Sequence, residues 1–214
     1  MTPPADMPSQ SGSGAQARRV ADGARTRILD AAFADIYEHG FQGLRIDGLL
    51  EKVELTKGAF YHHFPSKQAL GLAVIDEVLA PMADLIWGRH LEQYDDPIAG
   101  IEASVSFAIG MLGERCTTLG CPINNLAQEM SGLDDAFRER LDHVFRGIIG
   151  SIAAALRRGQ SVGRIRSDID ADACATFILA SVEGAIGLAK SARSDGLLEV
   201  ALGEAKRYLA SLRA

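Results

Sequence analysis

The 214-residue sequence predicts an all-α fold, on three observations. From Ala24 onward, apolar residues recur three and four positions apart, which gathers them on one side of a helix. Capping residues stand in front of such runs, as Ser66, Asp96 and Asp170 do. No segment of useful length alternates apolar and polar residues with the period of two that a half-buried strand requires. The expected count is nine helices.

Residues 1–22 read as a flexible tail, because Pro3, Pro4, Pro8 and the Gly/Ser spacing leave little to bury. Ile28, Leu29, Ala32, Phe33, Ile36 and Tyr37 then define a first helix, and Gly40 stops it. A second helix fits Ile46–Val53 and a third Lys57–His63, the latter capped by Thr56. Ser66 caps a longer fourth helix carrying Leu70, Leu72, Val74, Ile75, Val78 and Leu79. Asp96-Pro97, a cap followed by proline in the first turn, opens the fifth. Gly120-Cys121-Pro122 breaks the chain before a sixth that runs to Met130. Asp134 or Asp135 begins the seventh, Asp170 caps the eighth, to about Arg193, and Asp195 the ninth, to Leu212.

Hydrophobic residues make up 47% of the chain and charged residues 23%, enough to build a sizeable core. Every apolar run is interrupted by Gly or a charged residue, so no membrane span and no membrane partner is expected. The N-terminus lacks the apolar stretch of a signal peptide, which places the protein in the cytoplasm with its three cysteines as thiols. The net charge of −6 lies wholly beyond residue 70, since residues 1–70 carry 8 basic and 8 acidic side chains. Basic residues cluster at Arg18–Arg27, Arg45 and Lys52–Lys67. Such a local cluster suits phosphate even on an acidic protein, because salt screens distant charge over about 10 Å.

Two short helices joined by Glu54-Leu55-Thr56 have the form of a helix-turn-helix, with Leu49, Leu50, Val53, Leu55, Phe60 and Phe64 as its small core. In such a unit the second helix enters the major groove. Thr56, Lys57 and Gly58 stand at its N-terminus, where backbone N–H groups attract phosphate, and Gly58 permits close approach. Tyr61 and His62 follow one turn on, and Lys67 lies just past the next helix start. His62 and His63 point about 100° apart on a helix and make a poor chelate, so no metal is expected.

The runs Thr26-Arg27-Ile28-Leu29-Asp30-Ala31-Ala32, Gly40-Phe41 and Thr56 to Leu70, above all Lys-Gly-x-Phe-Tyr-His-His-Phe-x-x-Lys, closely resemble the N-terminal signature of the TetR family of transcriptional regulators. That resemblance implies a DNA-binding unit over residues 23–69, an effector-binding and dimerisation domain over 70–214, and a homodimer formed through the last two helices. It implies double-stranded operator DNA and a small-molecule effector as partners, repression as the outcome, and neither catalysis nor a cofactor. Carried over by position, Thr56, Lys57 and Gly58 fall where the family contacts bases and backbone, and Tyr61, His62 and Lys67 where it contacts phosphates. Arg45 stands where the family usually has Ser or Thr. An arginine there still holds phosphate but cannot cap the helix. Glu54 replaces the usual turn Gly, which a left-handed conformation would penalise by roughly 1 kcal/mol. Gly120-Cys121-Pro122-Ile123-Asn124-Asn125-Leu126-Ala127-Gln128-Glu129 is similar to a Gly-Cys-x-x-x-Asn-Leu-x-x-Glu segment of one subgroup, which includes regulators of responses to small reactive or unsaturated metabolites.

In the body, Trp87, Phe107, Met111, Asn125, Gln128 and Glu183 are the candidate pocket residues, combining apolar walls with a few polar anchors. Ordinary core packing is the alternative for the apolar ones. Ala180, Ser181, Gly184 and Gly187 would let another helix approach the eighth closely. Cys121 is either a buried packing residue beside Pro122 or, with Cys116, a reactive thiol. Arg115 next to Cys116, and a helix start just after Cys121, would both favour thiolate. Cys174 reads as core. No Gly-rich phosphate loop and no nucleophile–base pair at a recognisable spacing points to an enzyme. A ligand-binding protein that had lost DNA binding would be expected to lack Lys57, Tyr61 and Lys67, and all three are present.

Overall fold

The computed structural model describes the backbone from residue 12 and side chains from residue 23. Nine helices follow one another: α1 (Gly12–Gly43), α2 (Ile46–Val53), α3 (Lys57–His63), α4 (67–93), α5 (Pro97–Leu112), α6 (Pro122–Met130), α7 (Asp135–Ser161), α8 (Ala171–Ala192) and α9 (Asp195–Ser211). A single extra turn, Arg115–Thr118, lies between α5 and α6. The described residues contain no strand, only an isolated bridge between Ile165 and Arg213. α1 begins at Gly12 and not at the expected Ala24, so residues 12–22 of the expected tail are helix; residues 1–11 lie outside the described residues.

Local chemistry sets most of the boundaries. Gly40 breaks α1 by adopting φ +78°, ψ 162°, after which one more turn runs to Gly43. Thr56 Oγ1 accepts from the N–H of Ala59 at 3.2 Å, and Ser66 Oγ from Ala69 at 3.0 Å. Asp96, Asp134 and Asp170 accept in the same way from Ile98, Ala136 and Asp172, at 3.0, 2.9 and 2.9 Å. The ninth helix differs from expectation: Ser194 is its cap, accepting from Leu197, and Asp195 is already helical. α2 has Arg45 at its start with no side-chain cap, and Glu54 at its end in the left-handed conformation (φ 52°, ψ 48°).

Beneath α2 and α3, Leu49, Leu50, Phe60 and Phe64 are buried against Ile28, Leu29 and Ala32 of α1. This head meets the body where α1, α4 and α7 converge. The Phe41 and Phe137 rings pack at 4.6 Å between centroids, and Gly71 fits between them only because a Cβ there would lie 2.6 Å from Phe137.

α4 spans head and body, and it is not a uniform α-helix. It widens to π geometry at Ile75–Leu79 and again at Asp84–His90, with Pro81 between. Proline has no N–H to donate and its ring crowds the carbonyl one turn back, so a local widening relieves it. Adjacent carboxylates on the first wide turn face opposite ways. Asp76 pairs with Arg140 of α7 at 2.9 Å, and Glu77 pairs with Arg25 of α1.

In the body, α8 packs mainly on α7 and α9. Its 22 residues are long and apolar enough to cross a bilayer by length and composition, contrary to the reading that no segment qualified. Its burial explains the composition: Ala171, Cys174, Ala175, Ile178, Leu179, Val182, Ala185, Ile186 and Ala189 all face the core.

Glu54→Gly is expected to stabilise the protein by about 1 kcal/mol, because glycine occupies the left-handed region without Cβ strain. Reversible urea unfolding of the two proteins measures it, and an unchanged or lower midpoint would show that the turn carries no strain.

Candidate nucleic-acid interface

α3 is fixed from below and open above. Phe60 is buried, while Thr56, Lys57, Gly58, Tyr61 and His62 are exposed, Tyr61 to 55%. The Tyr61 ring stands edge-on to Phe60 at 5.1 Å, which props its hydroxyl outward. His63 is half-buried beside Phe64. Arg45 is exposed at the start of α2. Lys57 Nζ lies 2.8 Å from Asp47 Oδ1, and this hydrogen bond raises the lysine's pKa. Two helices thus present a hydroxyl, a phenol, imidazole and two cationic side chains on one exposed surface.

Lys67 departs from the position expected of a phosphate ligand. Its ammonium donates to the carbonyl of Gln42 at 3.1 Å and sits 4.9 Å above the Phe41 ring. Partial burial lowers its pKa. The side chain therefore ties the start of α4 to the end of α1. Arg25, one of the basic cluster at Arg18–Arg27, pairs with Glu77 and lies over the Phe64 ring. The side chains of Arg18 and Arg19 lie outside the described residues.

The six candidate pocket residues do not converge on one cavity. Trp87 is buried and walls a cleft of about 180 Å³ between α4 and α7. Phe107 stacks on His90 at 4.7 Å, and His90 Nδ1 is 3.1 Å from the hydroxyl of buried Ser104. Met111, in the last turn of α5, is 46% exposed. Asn125 and Gln128 face an open groove between α1, α6 and α8. There Asn125 donates to the carbonyl of Leu119 at 2.6 Å and accepts from Lys190 Nζ at 3.0 Å. Periodicity gives the side of a helix but not its neighbour, which is why residues from four helices were grouped wrongly.

Glu183 reaches inward to Cys121 and Asn124, and its Oε2 is buried with no hydrogen-bond partner among the described residues. Burial raises the carboxyl's pKa. The thiols respond in turn. Cys121 is pushed up by burial and by Glu183, which outweigh the backbone N–H groups of Asn124 and Ile123 at the α6 start. Cys116 is pushed up by burial and by the carboxylates of Asp195 and Glu183. Of the two alternatives for these thiols, the raised pKa values favour the packing role over the reactive one. Tyr37 and Glu129, which no motif singled out as contacts, add polar links between head and body to those of Arg25 with Glu77 and Gln68 with Asp134. Tyr37 Oη donates to the Gly120 carbonyl at 2.6 Å, and Glu129 accepts from the backbone N–H groups of Phe41 and Gln42 at 2.8 and 2.7 Å.

Known proteins share this arrangement. Residues 28–74 match the family described as bacterial regulatory proteins, tetR family, and residues 97–204 match the tetracyclin repressor-like C-terminal domain. The transcriptional regulator AcuR of Cereibacter sphaeroides is 30% identical over 167 residues, spanning 78% of this chain and 76% of that protein. The HTH-type transcriptional repressor DhaR of a Mycobacterium species is 28% identical over 162 residues, 76% of this chain and 80% of that one. The reduced form of Escherichia coli NemR superposes with a TM-score of 0.76 at 25% identity, covering 89% of this chain and 97% of that one. A TetR regulator of Chloroflexus aurantiacus reaches 0.82 at 29% identity, covering 91% and 98%. With both its helix-turn-helix and most of its body matched, this chain belongs to the TetR family of DNA-binding transcriptional regulators.

Proposed function

We propose that the protein is a homodimeric repressor that holds a palindromic operator in the cytoplasm and is released from it by a small-molecule effector. The observation that carries this reading is the outer side of α3, where Thr56, Lys57, Gly58 and Tyr61 are exposed on a helix anchored by Phe60. Residues 23–69 act as the DNA-binding unit and 70–214 as the effector and dimer domain. Arg45 and Lys57 neutralise phosphates, Tyr61 and His62 hydrogen-bond to the backbone, and Thr56 with Gly58 brings the main chain close to the groove. Lys67 serves as a buttress behind them.

The partner in the dimer is a second copy docked on α8 and α9. Phe177, Leu188, Leu197 and Val200 are exposed there, Phe177 to 52% and Val200 to 68%, beside a groove of about 240 Å³. Gly184 and Gly187 are exposed on the same helix, with nothing within 4 Å of a notional Cβ. Such a surface suits close helix packing and is unusual for a monomer.

The effector site is centred on Glu183. An unpartnered buried oxygen costs about 1–3 kcal/mol, and an effector with a hydrogen-bonding group would recover that. The Gly120–Glu129 segment favours the subgroup that answers small reactive or unsaturated metabolites. A second reading, a thiol sensor for electrophiles or oxidants, draws on Cys121 lying beside Glu183 and on the likeness to NemR.

Purified protein titrated with DNA from upstream of its own and neighbouring genes, over a salt series, tests the main reading. Tight, salt-dependent binding to one palindromic segment is expected; binding no better than to random DNA would sink it. Lys57→Met should flatten the slope of log affinity against log salt by about 1.8, two phosphate contacts of ~0.9 each, one from each protomer. Tyr61→Phe should weaken binding with the slope intact, since a phenol releases no counterion. Phe177→Asp with Val200→Glu should convert the dimer to a folded monomer in sedimentation, and a persisting dimer would place the interface elsewhere. For the thiols, raised pKa values predict slow alkylation by N-ethylmaleimide at pH 7, rising through pH 9 without a plateau. A plateau near neutrality would identify an activated thiolate and favour the sensor.

A further inference from the structure

The break in α1 has a partner on the body. Where Gly40 turns to φ +78°, the N–H groups of Phe41 and Gln42 leave the helical ladder. Both are taken by one carboxylate, Glu129, at 2.8 and 2.7 Å, one oxygen each. The fit is close on the other side as well, since a Cβ on residue 40 would lie 2.8 Å from Glu129 Oε2. One turn earlier on α1, Tyr37 donates to the carbonyl of Gly120, at the opposite end of the Gly120–Glu129 segment. Two anchors nine residues apart on the body therefore grip α1 at two successive turns. They fix where α1 sits along α6, and also how it is tilted.

The same segment is tied to α8. Asn125 accepts from Lys190 at 3.0 Å, and Glu183 of α8 reaches toward Cys121 and Asn124. α6 thus stands between the helix that carries the open apolar surface and the helix that carries the head. Any pair of heads in a dimer would be oriented through this bar.

We infer that Glu129, assisted by Tyr37, is the positioning residue for DNA binding: its two-oxygen grip on the end of α1 sets the orientation of the recognition helix, and so the spacing between the two recognition helices of a dimer. The inference rests on the dimeric reading of the preceding subsection. Neither residue touches DNA. Removing the grip leaves each head able to bind a half-site but spreads its orientations, so that the fraction of dimers with the matching spacing falls and the apparent affinity falls with it.

The test compares wild type, Glu129→Ala, Glu129→Gln and Tyr37→Phe on three DNAs: the operator selected by wild type from random duplexes, the same operator with one base pair inserted at its centre, and a single half-site. Sedimentation and thermal unfolding report on assembly and folding. Wild type should prefer the native spacing by about 100-fold, less than the ~10³–10⁷ by which specific sites exceed non-specific DNA, because one half-site can still be bound at the wrong spacing. Glu129→Ala should lose most of that preference, to about 10-fold or less, through weaker binding to the native spacing. Its half-site affinity should match wild type. Glu129→Gln keeps one acceptor and should fall between. Tyr37→Phe removes a single hydroxyl and should shift the ratio in the same direction, which keeps the test open if Glu129→Ala fails to fold. A folded, dimeric Glu129→Ala or Tyr37→Phe that keeps the wild-type ratio overturns the positioning role alone. A wild type that is monomeric, or indifferent to spacing, overturns the dimeric reading and this role with it.

Discussion

The position of the Phe41 ring governs how the two parts of the molecule meet. It is buried at the end of α1, packs against Phe137 of α7 and presses on the backbone of α4 at Gly71. Lys67 covers it from above. A phenyl group buried among three helices is worth several kcal/mol, in the range of about 3–5 lost on truncation to alanine. That is larger than any single polar contact across the junction. The hydrophobic contact therefore supplies the strength of the joint, while Tyr37 and Glu129 supply its direction. This division is the usual one between burial, which is non-directional, and hydrogen bonds, which are not.

How much could be read from the chain depended on how far the deciding contact lay along it. The bounds of α2 and α3 were legible because Thr56, Ser66 and the Leu49–Leu50–Val53 set act within a few residues of themselves. At Glu54 the sequence left two outcomes, a left-handed residue at a cost or a slightly different turn, and the chain takes the left-handed one. The tie of Lys67 back to α1 was not legible, because its partner, Gln42, lies 25 positions away. Glu129 stood inside a quoted motif, yet its partners are 87 and 88 residues distant, so nothing local marked it. The grouping of the six pocket candidates was the least legible. Trp87, Phe107, Asn125 and Glu183 lie on different helices, and which sides of those helices face each other is settled only by packing. The wide turns of α4 gave one signal, Pro81, which the sequence reading passed over.

The electrostatics of the body are dominated by burial. Burial raises the pKa of Cys121, Cys116 and Glu183 alike, and Glu183 pushes both thiols up further, while Cys121 and Asn124 pull Glu183 down. A helix start does lower the pKa of a thiol, and the backbone N–H groups of α6 exert that pull on Cys121. It loses because a carboxylate at close range, together with desolvation, is stronger than two partial charges. The reactivity of such a thiol is set by the whole enclosure and cannot be inferred from the residue beside it in sequence.

The ion pair between Lys57 and Asp47 bears on selectivity among nucleic acids. The lysine already holds an oxyanion, and if Lys57 binds phosphate as proposed, Asp47 competes for the same ammonium. Both side chains are well exposed, and pairs of this kind are weak. On the proposed reading a duplex would evict this resident mimic at little cost in affinity. Ligands that engage many contacts at once absorb that penalty easily. Stray polyanions that touch the recognition helix at one point do not, and the pair acts as a weak filter against them in a cell crowded with RNA.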